Sequence, residues 1–168
     1  MPTALFSRSD FDEDLSYVVG VIMGDGHINE SLKEGAKTPC HNIGLSNTDL
    51  DFVIEFAERI SHLIGPGTAM IRSYDEGNGY KQAHFYRRHS HWLYHLLNRD
   101  LSEIMMDVHL PLHFLKGLFD SEGCVTFHRK DNRLYKALTI STTTTDVKET
   151  VQQILEQGGK KNIAKPLD

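Results

Sequence analysis

One short word occurs twice in this chain. Residues 16–28 read SYVVGVIMGDGHI and residues 113–125 read HFLKGLFDSEGCV. Gly20 and Gly117, Asp25 and Glu122, and Gly26 and Gly123 all stand 97 positions apart. The offset persists without a gap from Ser46-Asn47-Thr48-Asp49 to Thr143-Thr144-Thr145-Asp146. Two matching blocks at one offset in 168 residues describe a tandem duplication. A chain of this length can hold two small similar halves that share a core. The expected boundary falls between 1–108 and 109–168.

Local signals give the order of elements. Residues 14–24 are expected to be helical and to stop at Gly26. Residues 27–33 and 40–46 alternate as strands do. Ser46 to Asp49 has helix-capping chemistry, and DLDFVIEFAERISHLIG is an amphipathic helix ended by Gly65-Pro66-Gly67. A hairpin follows: TAMIRSY, a turn over 75–79, then YKQAHFYRR. One or two short helices are expected over 90–105. Pro111 stands near the start of the second motif helix, where proline is tolerated. Strands over 123–129 and 134–142 and a helix over 145–157 complete the chain. The predicted class is α+β: tandem αββαββα-like repeats with pseudo-two-fold symmetry and antiparallel sheets. The second repeat is shortened, without the hairpin and last helix of the first.

The repeated word has its own physics. Gly20 and Gly24 are four apart, as are Gly117 and Ser121, so each pair shares a helix face. Small residues there let two helix backbones approach closely. Val21, Ile22, Leu118 and Phe119 supply apolar cover. Two such helices side by side bring Asp25 and Glu122 together at their C-terminal ends. Helix dipoles and mutual repulsion both disfavour two anions there. A divalent cation would relieve both penalties.

VVGVIMGDG (18–26) and LKGLFDSEG (115–123) resemble the two motifs of the LAGLIDADG homing endonucleases, and the element order after the first motif is similar to theirs. The resemblance covers nearly the whole chain and is nearest to single-chain, archaeal intron-encoded members. It implies a DNA-binding saddle and a metal-dependent double-strand break in a long asymmetric target, such as an intron insertion site in an rRNA gene. It also implies two or three Mg²⁺ ions, with Mn²⁺ or Ca²⁺ able to substitute. Asp25 and Glu122 would be the ligands, helped by the backbone carbonyls of Gly24 and Ser121. Asn47, with Thr144 as its repeat mate, matches a helper position on the strands. Lys130 and Lys136 are the nearest basic candidates, because Val125 stands where some relatives carry a lysine.

The formal charge of −5 is awkward for a DNA binder, but it is unevenly spread. Asp10, Asp12, Glu13 and Asp14 crowd the start. Basic residues fall on predicted strands and turns, and a local basic surface is what phosphate binding needs. Strands lying in a major groove carry side chains to base edges. The DNA-contact candidates are Arg72, Tyr80, Lys81, Gln82, His84, Tyr86, Arg87, Arg88, Arg129, Arg133 and Tyr135. His84, His89, His91 and His95 invite a zinc reading. The spacing fits no common zinc pattern, so DNA contact or local packing is preferred.

Composition removes other classes. No apolar run reaches bilayer-spanning length, and the early acidic residues do not suit a secretory signal. Cys40 and Cys124 are too few for a disulfide framework. A cytoplasmic monomer is expected, because one chain already holds both motifs. The start at Met-Pro and the end at Pro-Leu-Asp argue against intein origin. Three functions remain open: a DNA endonuclease, an RNA maturase acting on its own intron, and a DNA-binding regulator without catalysis. Retention of both acids favours the first.

Overall fold

The computed structural model describes residues 8–32, 34–65, 69–75, 81–88, 90–130 and 133–158. Two helices form its spine, α1 (Arg8–Met23) and α5 (Pro111–Glu122). After α1 come β1 (Gly26–Ser31), β2 (Cys40–Asn47), α2 (Leu50–Ile64), β3 (Ala69–Asp75) and β4 (Lys81–Arg88). Two short helices, α3 (His91–Leu97) and α4 (Leu101–Asp107), lead into α5. Then follow β5 (Gly123–Lys130), β6 (Arg133–Ile140) and α6 (Thr145–Gln157). The architecture is α+β with antiparallel sheets. Among the described residues, the first half has a four-stranded sheet in the order β1-β2-β4-β3, and the second has the two-stranded β5-β6 pair.

Both pairings start at the motif glycine. Gly26 pairs with Leu45 at the start of β1, and Gly123 pairs with Ile140 at the start of β5, two residues before Thr142, the repeat mate of Leu45. α1 begins earlier than the sequence suggested, at Arg8 rather than residue 14, and ends at Met23. Its extra turns carry Asp10, Asp12 and Glu13, and acids near a helix N-terminus are favoured by its dipole. Asp14 is buried and paired with Arg59 at 2.8 Å and His62 at 2.9 Å, so its charge is answered inside the fold.

α2 has a clear local cause. Asp49 Oδ1 accepts the backbone N–H groups of Asp51 at 3.0 Å and Phe52 at 3.2 Å, and Gly65 leaves the helix with φ of 75°. Its apolar face buries Phe52, Val53, Phe56, Ala57, Ile60 and Leu63. In the sheet, Ile43, Leu45, Ala83 and Phe85 are buried on the same side, with Phe56 and Phe85 edge to face at 5.6 Å. From Asp14 to Ile22, α1 is buried throughout, because α2 and the sheet flank it on one side and α5 on the other.

One flank of the helix pair is polar. Glu55 accepts from Arg59 at 2.7 Å and from Lys116 at 2.8 Å. Arg59 and Lys116 lie over the Tyr17 ring at 4.2 and 4.6 Å, and the Tyr17 hydroxyl donates to Asp120 at 3.0 Å. Burial first, and the Asp120 charge second, hold the Tyr17 phenol well above its ordinary pKa.

The second half departs from the first. Val125, Phe127, Leu134 and Leu138 share one face of the β5-β6 pair by register, and all are exposed. The corresponding face of the first sheet is its buried core side. α6 buries only Val147.

Candidate metal centre and nucleic-acid face

Why the two motif helices approach so closely follows from their glycines. A Cβ on Gly20 would fall on the Phe114 carbonyl oxygen and 2.7 Å from the Leu118 nitrogen. Across the pair, a Cβ on Gly117 would fall on the Tyr17 carbonyl oxygen and 3.0 Å from its carbon. The two contacts exchange when 97 is added to the first-half number and subtracted from the second-half one, so that Gly20 becomes Gly117 and Phe114 becomes Tyr17. One turn further on, a Cβ at Gly24 would strike Ser121 Oγ and lie 2.9 Å from Glu122 Cγ. Backbones meet at Gly20 and Gly117, and the helix ends meet at Gly24 and Ser121.

The acids follow from that packing. Asp25 lies just past the end of α1, and Glu122 is the last residue of α5. Glu122 has its pKa raised, first by partial burial and then by the charge of Asp25. Asn47, at the end of β2, donates its amide to Asp25 Oδ2 at 2.9 Å. The amide orientation is fixed, because Asn47 Oδ1 accepts the Asp49 N–H at 2.9 Å. Its repeat mate Thr144 instead donates its backbone N–H to Thr142 Oγ1 at 3.2 Å. The two halves therefore treat their acids differently.

These residues suit a hard divalent cation. Two carboxylates converge at helix ends whose last carbonyls lack helical donors. Among the described residues no group of three or more His, Cys, Asp or Glu is arranged to hold a metal ion. The acids thus come as a pair, with the remaining positions open to backbone carbonyls, water or a phosphate.

Lys130 and Lys136 lie elsewhere. Lys130 ends β5, seven positions beyond Gly123, which is about 23 Å of extended strand. Lys136 pairs with Phe127 and is in register with the exposed apolar face, away from the two acids by about four residues of strand, or ~13 Å.

The sheet surface divides by parity. Ile43, Leu45, Ala83 and Phe85 face the core. The opposite face of the first sheet therefore carries His27, Asn29, Ser31, Ser46, His84, Tyr86 and Arg88, and the register aligns Arg72 with His84. His84 meets Ser46 Oγ at 2.6 Å, and the Arg88 guanidinium sits 5.7 Å from the Tyr86 ring. The register aligns Lys81 and Arg87 with the core-side set. In β5-β6, Arg133, Tyr135 and Lys130 share one parity, and Arg129 and Lys136 share the other with Phe127. Tyr80 lies outside the described residues. So do the side chains of Arg72, Lys81, Gln82, Arg87, Lys130, Arg133 and Tyr135.

Sequence reasoning missed His27, Asn29, Ser31 and Ser46, although the alternation in HINES and CHNIGLSN was the signal for them. It also missed His41. His41 is buried, bonded to Glu30 at 2.9 Å and to His91 at 2.6 Å, and stacked on Tyr94 at 4.3 Å. His91 and His95 gather round His41 and not round His84, so for these two local packing holds. His89 lies outside the described residues.

Three comparisons bear on this arrangement. Residues 110–163 match the LAGLIDADG-like domain. The chain is 30% identical over 153 residues to the uncharacterized protein MJ0314 of Methanocaldococcus jannaschii. That match takes in 88% of this chain and 55% of the relative, so the chain spans about half the length of the curated protein it matches. Mesophilic variants of the homing endonuclease I-DmoI superpose with a TM-score of 0.61 at 19% identity, covering 89% of this chain and 74% of theirs. I-DmoI in complex with DNA and Ca gives the same values. An I-DmoI variant bound to its target DNA in the presence of Mg gives 0.62 at 18% identity, covering 90% of this chain and 80% of its own. No helix among the described residues is long and apolar enough to cross a membrane. The chain is LAGLIDADG-like over residues 110–163, and over nine-tenths of its length it has the fold of the I-DmoI homing endonuclease.

Proposed function

We propose that this chain is a single-chain, two-motif LAGLIDADG endonuclease that makes a divalent-metal-dependent double-strand break in DNA. The observation that carries the reading is the convergence of Asp25 and Glu122 at the ends of two helices in backbone contact. That convergence is internal to one chain, so a monomer suffices. The halves are 1–108 and 109–168, of archaeal intron-encoded type, and the target is a long asymmetric site such as an intron insertion site in an rRNA gene.

Asp25 and Glu122 would hold Mg²⁺, with the Gly24 and Ser121 carbonyls as further donors and Mn²⁺ or Ca²⁺ as substitutes. Ions bound there would activate water and stabilise the leaving oxygen of a phosphodiester. The protein's own part is to position. The Gly20 and Gly117 contacts fix the distance between the helix ends. Asn47 orients Asp25, and the outer sheet face, with Arg72, His84, Tyr86 and Arg88, supports the duplex. Arg133 and Tyr135 extend that surface in the second half. Support comes from the solved I-DmoI complexes, which hold target DNA with Mn, Ca or Mg.

Incubation with Mg²⁺ and plasmids carrying intron-less ribosomal RNA genes tests the proposal. A unique linear product, absent with EDTA, is expected. No cleavage of any such plasmid by a folded protein, together with tight binding of intron RNA, would replace it with a maturase.

A further inference from the structure

Gly44 lies inside β2, between two paired strands. Its backbone does not call for glycine, because among the described glycines only Gly35 and Gly65 have positive φ. A strand-interior glycine costs roughly 0.5–1 kcal/mol relative to alanine, and it often marks a close approach. What approaches is His27, the partner of Gly44 across the β1-β2 pair. A Cβ on Gly44 would strike His27 Nε2 and lie 2.6 Å from His27 Cε1. The imidazole therefore lies over the β2 backbone, where strand side chains ordinarily stand upright. The residue remains exposed on the outer face, and it follows Asp25 by two residues.

We propose that Gly44 is a slot for the His27 ring, and that this ring is a specificity-determining contact to the DNA bases nearest the cleaved phosphates. The inference rests on the endonuclease reading above. A ring laid along the sheet keeps the surface low beside the acids, so a duplex can approach. Its nitrogens offer donor and acceptor chemistry to base edges in the groove. The slot also presets the ring, so little side-chain freedom is lost on binding.

The test is a binding selection on targets randomised one base pair at a time, with Ca²⁺ in place of Mg²⁺. The unaltered chain, His27→Ala, Gly44→Ala and the double variant are compared. His27→Ala should lose about tenfold discrimination at one or two adjacent positions nearest the cleavage site, with other positions unchanged. Gly44→Ala, which displaces the ring, should lose the same positions, and the double variant should be no worse. Wild-type preferences at every position in His27→Ala would overturn the proposal. So would Gly44→Ala altering different positions. Should Gly44→Ala fail to fold, the His27→Ala profile alone decides. Absence of any DNA binding by the unaltered chain would overturn the endonuclease reading together with this one, whereas normal binding with an unchanged His27→Ala profile removes only this one.

Discussion

Gly20→Ala tests the packing that brings the acids together, and its sign is informative. On an exposed helix this change would stabilise the protein by about 1 kcal/mol, because alanine is the better helix former. Here the added Cβ would fall on the Phe114 carbonyl oxygen and 2.7 Å from the Leu118 nitrogen. Both are backbone atoms of α5, so no side chain can rotate away. The helices must separate by roughly 1 Å, which forfeits a quarter to a half of each dispersion contact along the seam. Overpacking of this kind costs about 3 kcal/mol. Less the propensity gain, the net loss is about 2 kcal/mol, which for a chain of this size lowers Tm by about 4–8 °C. Differential scanning calorimetry in EDTA reads it without metal. Gly117→Ala should behave alike, since it meets Tyr17 backbone atoms in the same way. A Tm unchanged or raised in either variant would refute the claim that the two backbones touch.

Further expectations concern the acids and the halves. Burial and the neighbouring Asp25 raise the Glu122 pKa, so its folded state holds a proton more tightly than the unfolded chain does. Its stabilising share is present at low pH and is lost as pH rises through the raised folded value. Glu122→Gln should therefore melt higher than the parent at neutral pH in EDTA, with the gap closing in acid; an equal or lower Tm at neutral pH contradicts the repulsion. Asn47→Ala should weaken divalent-ion affinity by about tenfold in calorimetric titration with little change in Tm, as loss of a hydrogen bond to a ligating carboxylate does. An unchanged affinity would reduce Asn47 to a strand-end cap. Leu45→Ala should cost about 2–5 kcal/mol in urea unfolding and Leu138→Ala within about 0.5, because Leu45 is fully buried and Leu138 is 67% exposed. Similar losses would mean that the second sheet face is covered.

Much of this was legible in the residues. The repeat offset located both motif helices, and periodicity placed the strands within a few residues. The close approach was written in Gly20, Gly24, Gly117 and Ser121, since only small residues permit it. Parity across the sheet was harder. Basic residues cluster in YKQAHFYRR, yet alternate positions face opposite sides, so Arg87 and Arg88 fall into different sets. Lys130 looked close to the second motif in sequence, but a strand rises about 3.3 Å per residue and carries it to the far end of the hairpin. The Asn47–Asp25 bond joins residues 22 apart, and the His41 cluster joins residues up to 54 apart. No local pattern announces either one; both depend on how the sheet docks against its helices.

The proposed endonuclease requires Asp25 and Glu122 to share a divalent metal. Anomalous diffraction from crystals soaked in Mn²⁺ tests it most directly. Density is expected within coordination distance, about 2.0–2.6 Å, of a carboxylate oxygen from each residue, absent in Asp25→Asn/Glu122→Gln crystals. Manganese bound only at other sites, with both carboxylates free of it, would contradict it.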